Sequence, residues 1–117
     1  MKPFLTGSRA YGPITTTSDI DIVVSKQTSL RLQEIFNILK IKWNKVNEDY
    51  EDSESLYVTI ENKLVNFVAV NQEDMPKWKY ATEEMKKIKP IPHRNVRLIK
   101  FQDFMIQYNT LVKTVLG

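Results

Sequence analysis

Cysteine is absent from this 117-residue chain, and histidine occurs once, as His93. Without cysteine there can be no disulfide, no thiolate zinc site and no cysteine nucleophile. A single histidine also excludes multi-histidine metal sites, and its place between Pro92 and Arg94 favours a surface loop over a catalytic base. Because small secreted domains are usually rich in disulfides, the composition favours a cytoplasmic protein.

Long hydrophobic runs are also missing. The first residues lack the apolar run of about 7–15 residues that a signal peptide carries, and no stretch approaches the roughly 18 apolar residues of a membrane span. We therefore expect neither secretion nor membrane contact. The length and the ordinary 42% hydrophobic content predict one domain over residues 1–117, with a sheet region over residues 1–70 and closing helices over residues 71–117.

Acidic residues are scarce in the last third of the chain. Residues 1–75 carry a net charge of −3, whereas residues 76–117 carry +6. Such asymmetry is found in proteins that bind nucleotides or nucleic acids, and also in proteins with a solvated basic face. The basic run over residues 86–100 therefore fits either an acidic substrate, such as RNA phosphates, or helix-end charge in solvent.

Hydrophobic periodicity predicts alternating strands and helices. The predicted strands cover residues 4–6, 19–24, 56–60 and 64–70, with a short fifth strand as an alternative over residues 41–43. The predicted helices cover residues 29–40, capped by Thr28 or Ser29, and the segments that follow Asp74 and Asn95, while residues 9–18 and 48–54 are predicted to be irregular. This order predicts an α+β fold in which helices pack on a mixed sheet of about four to five strands.

Asp19 and Asp21 lie two positions apart in a predicted strand, so both carboxylates share one face. Adjacent carboxylates raise each other's pKa unless a cation lies between them, and Mg²⁺ binds one or two carboxylates together with substrate phosphates. About ten residues earlier, Gly7 and Ser8 form a small turn where backbone N–H groups can approach phosphate, with Arg9 nearby. Either pair alone is common on solvated surfaces, but the two together favour a metal-dependent nucleotide site.

The order of these residues resembles the signature of the DNA polymerase β-like nucleotidyltransferase superfamily. Residues 7–12 read Gly-Ser-Arg-Ala-Tyr-Gly, and residues 18–24 read Ser-Asp-Ile-Asp-Ile-Val-Val. The superfamily signature is a Gly-Ser with a second glycine a few residues later, followed by Ser-Asp-hydrophobic-Asp in a strand. The resemblance is strongest to the minimal nucleotidyltransferases, small domains of prokaryotes and their phages. It covers residues 4–24 specifically and fits the predicted elements loosely up to residue 70.

The resemblance implies nucleotide-binding roles for four matching residues. Gly7 and Ser8 would hold the triphosphate of a nucleotide such as ATP. Gly12 would let the loop turn beneath the nucleotide. Arg9 occupies a variable position of the motif, and its expected phosphate contact follows from its charge.

The resemblance also implies that Asp19 and Asp21 bind Mg²⁺ or Mn²⁺ and are the catalytic carboxylates. The family has a third carboxylate on a later strand, and the matching strand over residues 64–70 carries Asn66 instead. An amide oxygen can bind Mg²⁺, but it brings no charge and cannot act as a base. The nearest other carboxylate, Glu61, falls in the preceding turn. Asn66 is expected either as a third metal ligand or as a strand amide bonded to neighbouring backbone.

Small members of this family carry a helix before the first strand, whereas this sequence reaches the motif almost at once. We expect a C-terminal helix or a partner subunit to cover the surface that such a helix would cover. The last predicted helix has an apolar stripe from Phe101 to Val115, which favours packing on the sheet over an outward partner surface.

Three functions fit these residues. The first is a nucleotidyltransferase that moves a nucleoside monophosphate from an NTP to a hydroxyl of an RNA, a protein or a small molecule. The second is a catalytically degenerate binding module of the same fold, of the phage-encoded kind, that docks on a partner protein. The third is a subunit that works with a separate helical chain or as a homo-oligomer. The retained motif favours the first function, and Asn66 with the small size favours the second.

Overall fold

The computed structural model describes residues 1–15, 19–47 and 52–116. Within these ranges the chain forms five strands and four α-helices, which confirms the predicted α+β class and strand number. In chain order they are β1 (Phe4–Thr6), α1 (Ser8–Tyr11), β2 (Ile20–Ser25), α2 (Lys26–Ile38), β3 (Trp43–Asn47), β4 (Glu54–Ile60), β5 (Lys63–Val70), α3 (Met75–Lys86) and α4 (Arg94–Leu116).

The five strands form one mixed sheet in the order β1-β2-β5-β4-β3. β5 runs parallel to β2 and antiparallel to β4, and the edge strands β1 and β3 pair antiparallel with their neighbours. The predicted turn between β4 and β5 is confirmed. Glu61 and Asn62 have φ of 50° and 66° there, and positive φ at both central residues is the conformation of a tight type I′ hairpin turn.

The two faces of the sheet bury separate apolar clusters, because successive residues of a strand point to opposite sides. On one face, residues of β2 and β5 pack with α3 and α4, through Val23, Val68, Val70, Met75, Trp78, Ala81, Met85, Phe101 and Met105. On the other face, Phe36 of α2 packs with Leu56, Val58 and Val65. The sheet therefore lies between one helix on one side and two long helices on the other.

Two helix starts differ from the sequence prediction. α2 begins at Lys26 rather than at residue 29, because Ser25 is the N-cap in place of Thr28 or Ser29. The Ser25 hydroxyl accepts a hydrogen bond from the Thr28 backbone N–H at 3.1 Å. Residues 9–11, in the segment predicted to be irregular, belong to the single-turn helix α1, which is too short to leave a periodic signal.

The third strand is longer than predicted. β3 starts at Trp43 and continues to Asn47, beyond the predicted residues 41–43. It is an edge strand with mostly exposed side chains, so its sequence lacks the apolar alternation of the inner strands. The predicted acidic loop over residues 48–54 falls mainly on residues 48–51, outside the described residues, and Glu54 already begins β4.

α4 is buried along only part of its length and packs mainly against α3. The predicted packing of the whole apolar stripe on the sheet is therefore wrong for its C-terminal half. Phe101 and Met105 are buried, whereas Leu111 is 47% exposed and Val115 81% exposed. α4 has 23 residues and its neighbour α3 has 12, so the end of α4 extends beyond the helix that covers its beginning. In the described part of the chain, no helix is both long and apolar enough to cross a membrane.

Candidate functional site

A row of polar side chains crosses the sheet from β1 to β4. Strand register places Thr6 opposite Asp21, Asp21 opposite Asn66, and Asn66 opposite Tyr57. Side chains at directly paired positions lie on the same face of a sheet. The face is that of α3, since the Thr6 and Thr82 hydroxyl oxygens are 2.8 Å apart. The row therefore forms the floor of the space beneath the two closing helices.

Gly7 follows β1 directly and brings its backbone against the carboxylate of Asp21. Its φ is +71°, a conformation that favours glycine, and a Cβ atom at this position would overlap the Asp21 Oδ2 atom. The backbone N–H groups of Ala10 and Tyr11 bond back to the Gly7 carbonyl at 2.9 and 3.2 Å, which closes the turn. Glycine is thus required at residue 7 both by its backbone angle and by its closeness to the carboxylate.

These residues line a cleft of about 470 Å³ between the sheet and the helices. Gly7 and Ser8 form its rim, and Tyr57 and Asn66 form part of the floor. Side chains of α3 and α4 also line the cleft. The lining residues are Thr6, Gly7, Ser8, Tyr11, Asp19, Asp21, Ser53, Tyr57, Asn66, Val68, Trp78, Arg94, Arg97, Leu98 and Phe101. A cleft of this volume is within the usual range for small-molecule sites.

Asn66 occupies the position where the resemblance requires a third carboxylate. Its side-chain amide donates a hydrogen bond to the Asp21 carboxylate. Its Oδ1 atom is buried and has no hydrogen-bond partner among the described residues. An unpaired buried oxygen costs about 1–3 kcal/mol, so this atom is a ready acceptor or ligand for a bound group.

The pKa of Asp21 is raised above its ordinary value. Burial is the main cause, because it disfavours the charged form, and the nearby Asp19 carboxylate adds to the effect. The hydrogen bond from Asn66 and the positive charge of Arg94 act in the opposite direction. A cation bound between the two carboxylates would remove the repulsion that Asp19 contributes.

Tyr11 is a site residue for which no role was predicted from the sequence. It lines the cleft, and burial together with the Asp21 charge raises its pKa to about 12, against the weaker effect of Arg97. The phenol therefore stays protonated at neutral pH and is available as a neutral hydrogen-bond donor. Its place between the two motif glycines, Gly7 and Gly12, is the feature of the sequence that could have identified it as a site residue.

The positive charge in the cleft comes from α4 and not from Arg9. Arg94 and Arg97 line the cleft, and both come from the basic run over residues 86–100. Their spacing of three places both on one side of the helix. The sequence identifies the basic run as a candidate for contact with an acidic substrate. Which of its cations face the cleft depends on how the helix packs.

The structure brings five of the seven predicted site residues into this one cleft: Gly7, Ser8, Asp19, Asp21 and Asn66. Arg9 and Gly12 are not among its lining residues. Gly12 has a φ of +68° and ends α1, where its N–H donates to the Ser8 carbonyl at 2.6 Å. Its role is therefore to close the short helix that follows the Gly7 turn. Glu61, the alternative carboxylate, lies in the β4–β5 turn and does not line the cleft.

The oxygen donors at the centre of the cleft are two carboxylates and one amide. In the described ranges there is no group of three or more His, Asp or Glu residues that could hold a metal ion. Hard oxygen donors of this kind are those that Mg²⁺ and Mn²⁺ prefer. Comparison of the chain with protein-family models, with curated proteins and with solved structures gives no match.

Proposed function

We propose that this chain is a divalent-metal-dependent nucleotidyltransferase of the cytoplasm that transfers a nucleoside monophosphate from an NTP to a hydroxyl group. The acceptor oxygen forms a bond to the α-phosphorus, the bond from that phosphorus to the bridging oxygen breaks, pyrophosphate leaves and the hydroxyl proton passes to solvent. The observation that carries the proposal is the contact between the Gly7 turn and the Asp21 carboxylate. It joins the two halves of the sequence motif in one cleft.

The residues of the cleft fit a divalent cation. Asp19 and Asp21 supply two carboxylates, and the buried Oδ1 atom of Asn66 has no other partner in the described part of the chain. These three residues would hold Mg²⁺ or Mn²⁺. When bound, the cation would neutralise phosphate charge and make the α-phosphorus more electrophilic.

The rest of the site would orient the nucleotide. The Ser8 hydroxyl, next to Gly7 in the cleft lining, would donate to a phosphate oxygen. The Tyr11 phenol, which stays protonated, is a second donor in the same cleft. Asn66 cannot accept a proton from the acceptor hydroxyl, so catalysis would rest on positioning and on charge stabilisation.

The decisive test is transfer of label from nucleotide to acceptor. The protein is incubated with each α-labelled NTP, with Mg²⁺ or Mn²⁺, and with RNA, protein and small-molecule fractions of a cell lysate. We expect labelled product from the wild type, none with EDTA, and none from Asp21→Asn, which keeps the side-chain shape. Failure of every NTP to give product, or equal product from Asp21→Asn, would contradict the proposal.

Asn66 favours a second function, that of a binding module that retains the fold and docks on a partner protein. Its amide already bonds to Asp21, an arrangement that holds the carboxylate without any metal. The exposed apolar end of α4 offers a surface for such docking, since Val115 and Leu116 are 81% and 80% exposed. This alternative predicts NTP binding, or no nucleotide binding at all, with no transfer to any acceptor.

A further inference from the structure

Arg94 is the first residue of α4 and lines the same cleft as Gly7 and Ser8. Its side chain is exposed. In the part of the chain that the structure describes, its guanidinium takes part in no salt bridge and no hydrogen bond. An arginine has five N–H donors in a rigid fork, and none of them bonds to a described residue here.

Arg94 lines the same cleft as Asp21 and Asn66. Its positive charge lowers the pKa of Asp21, but this effect is the smallest of the four that act on that carboxyl. Arg94 does not form an ion pair with that carboxylate. A group bound at Asp21 would therefore share the cleft with a guanidinium that forms no ion pair with any described residue.

Arg97, one turn further along α4, is used differently. Its Nη1 atom donates to the carbonyl oxygens of Ile91 and Pro92, at 3.0 and 2.9 Å. These bonds tie the segment that precedes α4 to the first turn of the helix. Arg97 therefore holds the backbone from which Arg94 projects, and it is a positioning residue.

Among the described residues, the charged side chains that line the cleft are two aspartates and two arginines, so their formal charges cancel. A carboxylate in place of Asn66 would make the lining acidic. With an amide there, the cleft can accept a polyanion together with one divalent cation. Phosphate is the anion whose tetrahedral oxygens best match a bidentate guanidinium.

We propose that Arg94 binds a phosphate group of the nucleotide in the cleft that it shares with Gly7 and Ser8. The triphosphate would then be held by two separate elements, the turn after β1 and the first residue of α4. This inference rests on the proposed function, because it takes the ligand of the same cleft to be an NTP. It assigns to Arg94 the phosphate contact that the sequence assigned to Arg9.

Calorimetric titration tests the assignment directly. Wild type, Arg94→Gln, Arg94→Lys and Lys113→Gln are each titrated with ATP and with inorganic tripolyphosphate at one fixed Mg²⁺ concentration. Lys113→Gln is the matched control, since it removes the same charge from an exposed position near the far end of the same helix. Circular dichroism and thermal midpoints confirm that each variant is folded.

We expect Arg94→Gln to weaken both probes about tenfold, which corresponds to about 1.4 kcal/mol. Arg94→Lys should recover part of the loss, because lysine keeps the charge but not the fork. Lys113→Gln should stay within about twofold of the wild type, because exposed charges far from a ligand are screened by salt. A loss of ATP affinity with unchanged tripolyphosphate affinity would overturn the phosphate assignment.

Other results would also overturn it. These are equal affinities of Arg94→Gln and wild type, absence of binding by the wild type, and an effect seen only with single-stranded RNA as the titrant. The label-transfer assay separates this inference from the proposed function. Arg94-dependent binding without any transfer would contradict the enzyme and support the phosphate contact. If Arg94→Gln changes neither the transfer rate nor the affinity for ATP, the result would support the enzyme and contradict the phosphate contact.

Discussion

At the scale of the residue, two glycines with similar backbone angles have different surroundings. Gly7 and Gly12 have φ of +71° and +68°. A Cβ atom at Gly7 would overlap the Asp21 carboxylate, whereas at Gly12 its nearest neighbours would be at an ordinary 3.7 Å. The two positions therefore separate the cost of the backbone angle from the cost of the close approach.

We predict that Gly12→Ala lowers the free energy of unfolding by about 1–3 kcal/mol, because a φ of 68° with a ψ of 176° is a conformation essentially restricted to glycine. Gly7→Ala should cost more, because Asp21 must also move. It should abolish metal and nucleotide binding as well. Urea unfolding and Mn²⁺ titration of the two variants check this pair, and equal stabilities with equal Mn²⁺ affinities would argue against the contact.

Asp21→Asn should raise the thermal midpoint in metal-free buffer at pH 7, while it removes activity. The raised pKa of Asp21 means that the folded state disfavours the charged carboxylate. The folded protein then binds more protons than the unfolded chain between the ordinary Asp pKa of 3.8 and the raised value, so the wild type gains stability as the pH falls through that window.

Thermal unfolding in EDTA from pH 7 to pH 4 checks the sign of this effect. The advantage of Asp21→Asn over the wild type should shrink as the pH falls. Comparison of the two proteins cancels the other carboxylates, such as Asp52 and Glu83, whose lowered pKa values give the opposite pH dependence. A variant that is less stable than the wild type at pH 7 would contradict the burial argument.

Asn66→Asp should convert the amide into a third carboxylate beside Asp21. We expect higher Mn²⁺ affinity and a higher transfer rate, and lower stability in EDTA because three carboxylates then repel one another. Asn109→Asp, at an exposed position of α4, is the control for added charge. Mn²⁺ titration measures the difference, and unchanged affinity would mean that residue 66 does not reach the metal.

The site could be predicted from sequence where its residues are close neighbours in the chain. Asp19 and Asp21 share a face by simple alternation, and the turn at Gly7 comes from glycine itself. Asn66 required the strand register, which the alternation of β5 gave correctly. Arg94 required the rotation of α4 about its axis, and that is fixed by the tertiary contacts of Phe101 and Met105 rather than by any local pattern.

At the scale of the element, α4 has two parts with different surroundings. Its N-terminal half carries Arg94 and Arg97 in the cleft and buries Phe101 and Met105. The ring of Phe101 lies 5.3 Å from that of Trp78 and 6.3 Å from that of Tyr11, measured between centroids. These contacts join α4 to α3 and to α1, so they stabilise the arrangement of the three helices that line the cleft.

Phe101→Ala should destabilise the fold by about 3–5 kcal/mol, as is typical when a buried phenylalanine is truncated. Ile99→Ala, two residues away on the same helix, should change stability by less than about 0.5 kcal/mol, because Ile99 is 58% exposed. Urea unfolding of both variants provides the measurement. Similar losses for both would mean that the packing of α4 differs from the one described.

Helix boundaries were the weakest part of the sequence prediction, and the causes are local. Ser25, Thr28 and Ser29 can each cap a helix, and only the observed bond from the Thr28 N–H to Ser25 selects among them. The burial of α4 was overestimated, because an apolar stripe does not indicate how far the neighbouring helix extends. The inner strands were predicted well, since each has a buried face and a regular alternation.

At the scale of the whole molecule, a ligand in the cleft would connect the sheet, α1 and α4. We predict that ATP with Mg²⁺ raises the thermal midpoint, since a ligand at a hundred times its Kd adds about 2.7 kcal/mol to the free energy of unfolding. The shift should be absent in EDTA and in the double variant Asp19→Ala/Asp21→Ala. An equal shift without divalent metal would contradict a metal-bridged triphosphate.

The central position of β5 has a consequence for how the chain acquires its site. β5 is the last strand in sequence, yet it lies between β2 and β4 in the sheet. Asp21 and Asn66 therefore become neighbours only after β5 has paired with β2. Pairing of β3, β4 and β5 is local and entropically cheap, whereas docking of that hairpin array onto β2 closes a long loop. During synthesis from the N-terminus, the motif residues would therefore leave the ribosome well before any nucleotide could bind. A ribosome-bound chain that ends before β5 should not bind ATP. Binding should appear only in chains long enough for β5 to pair with β2.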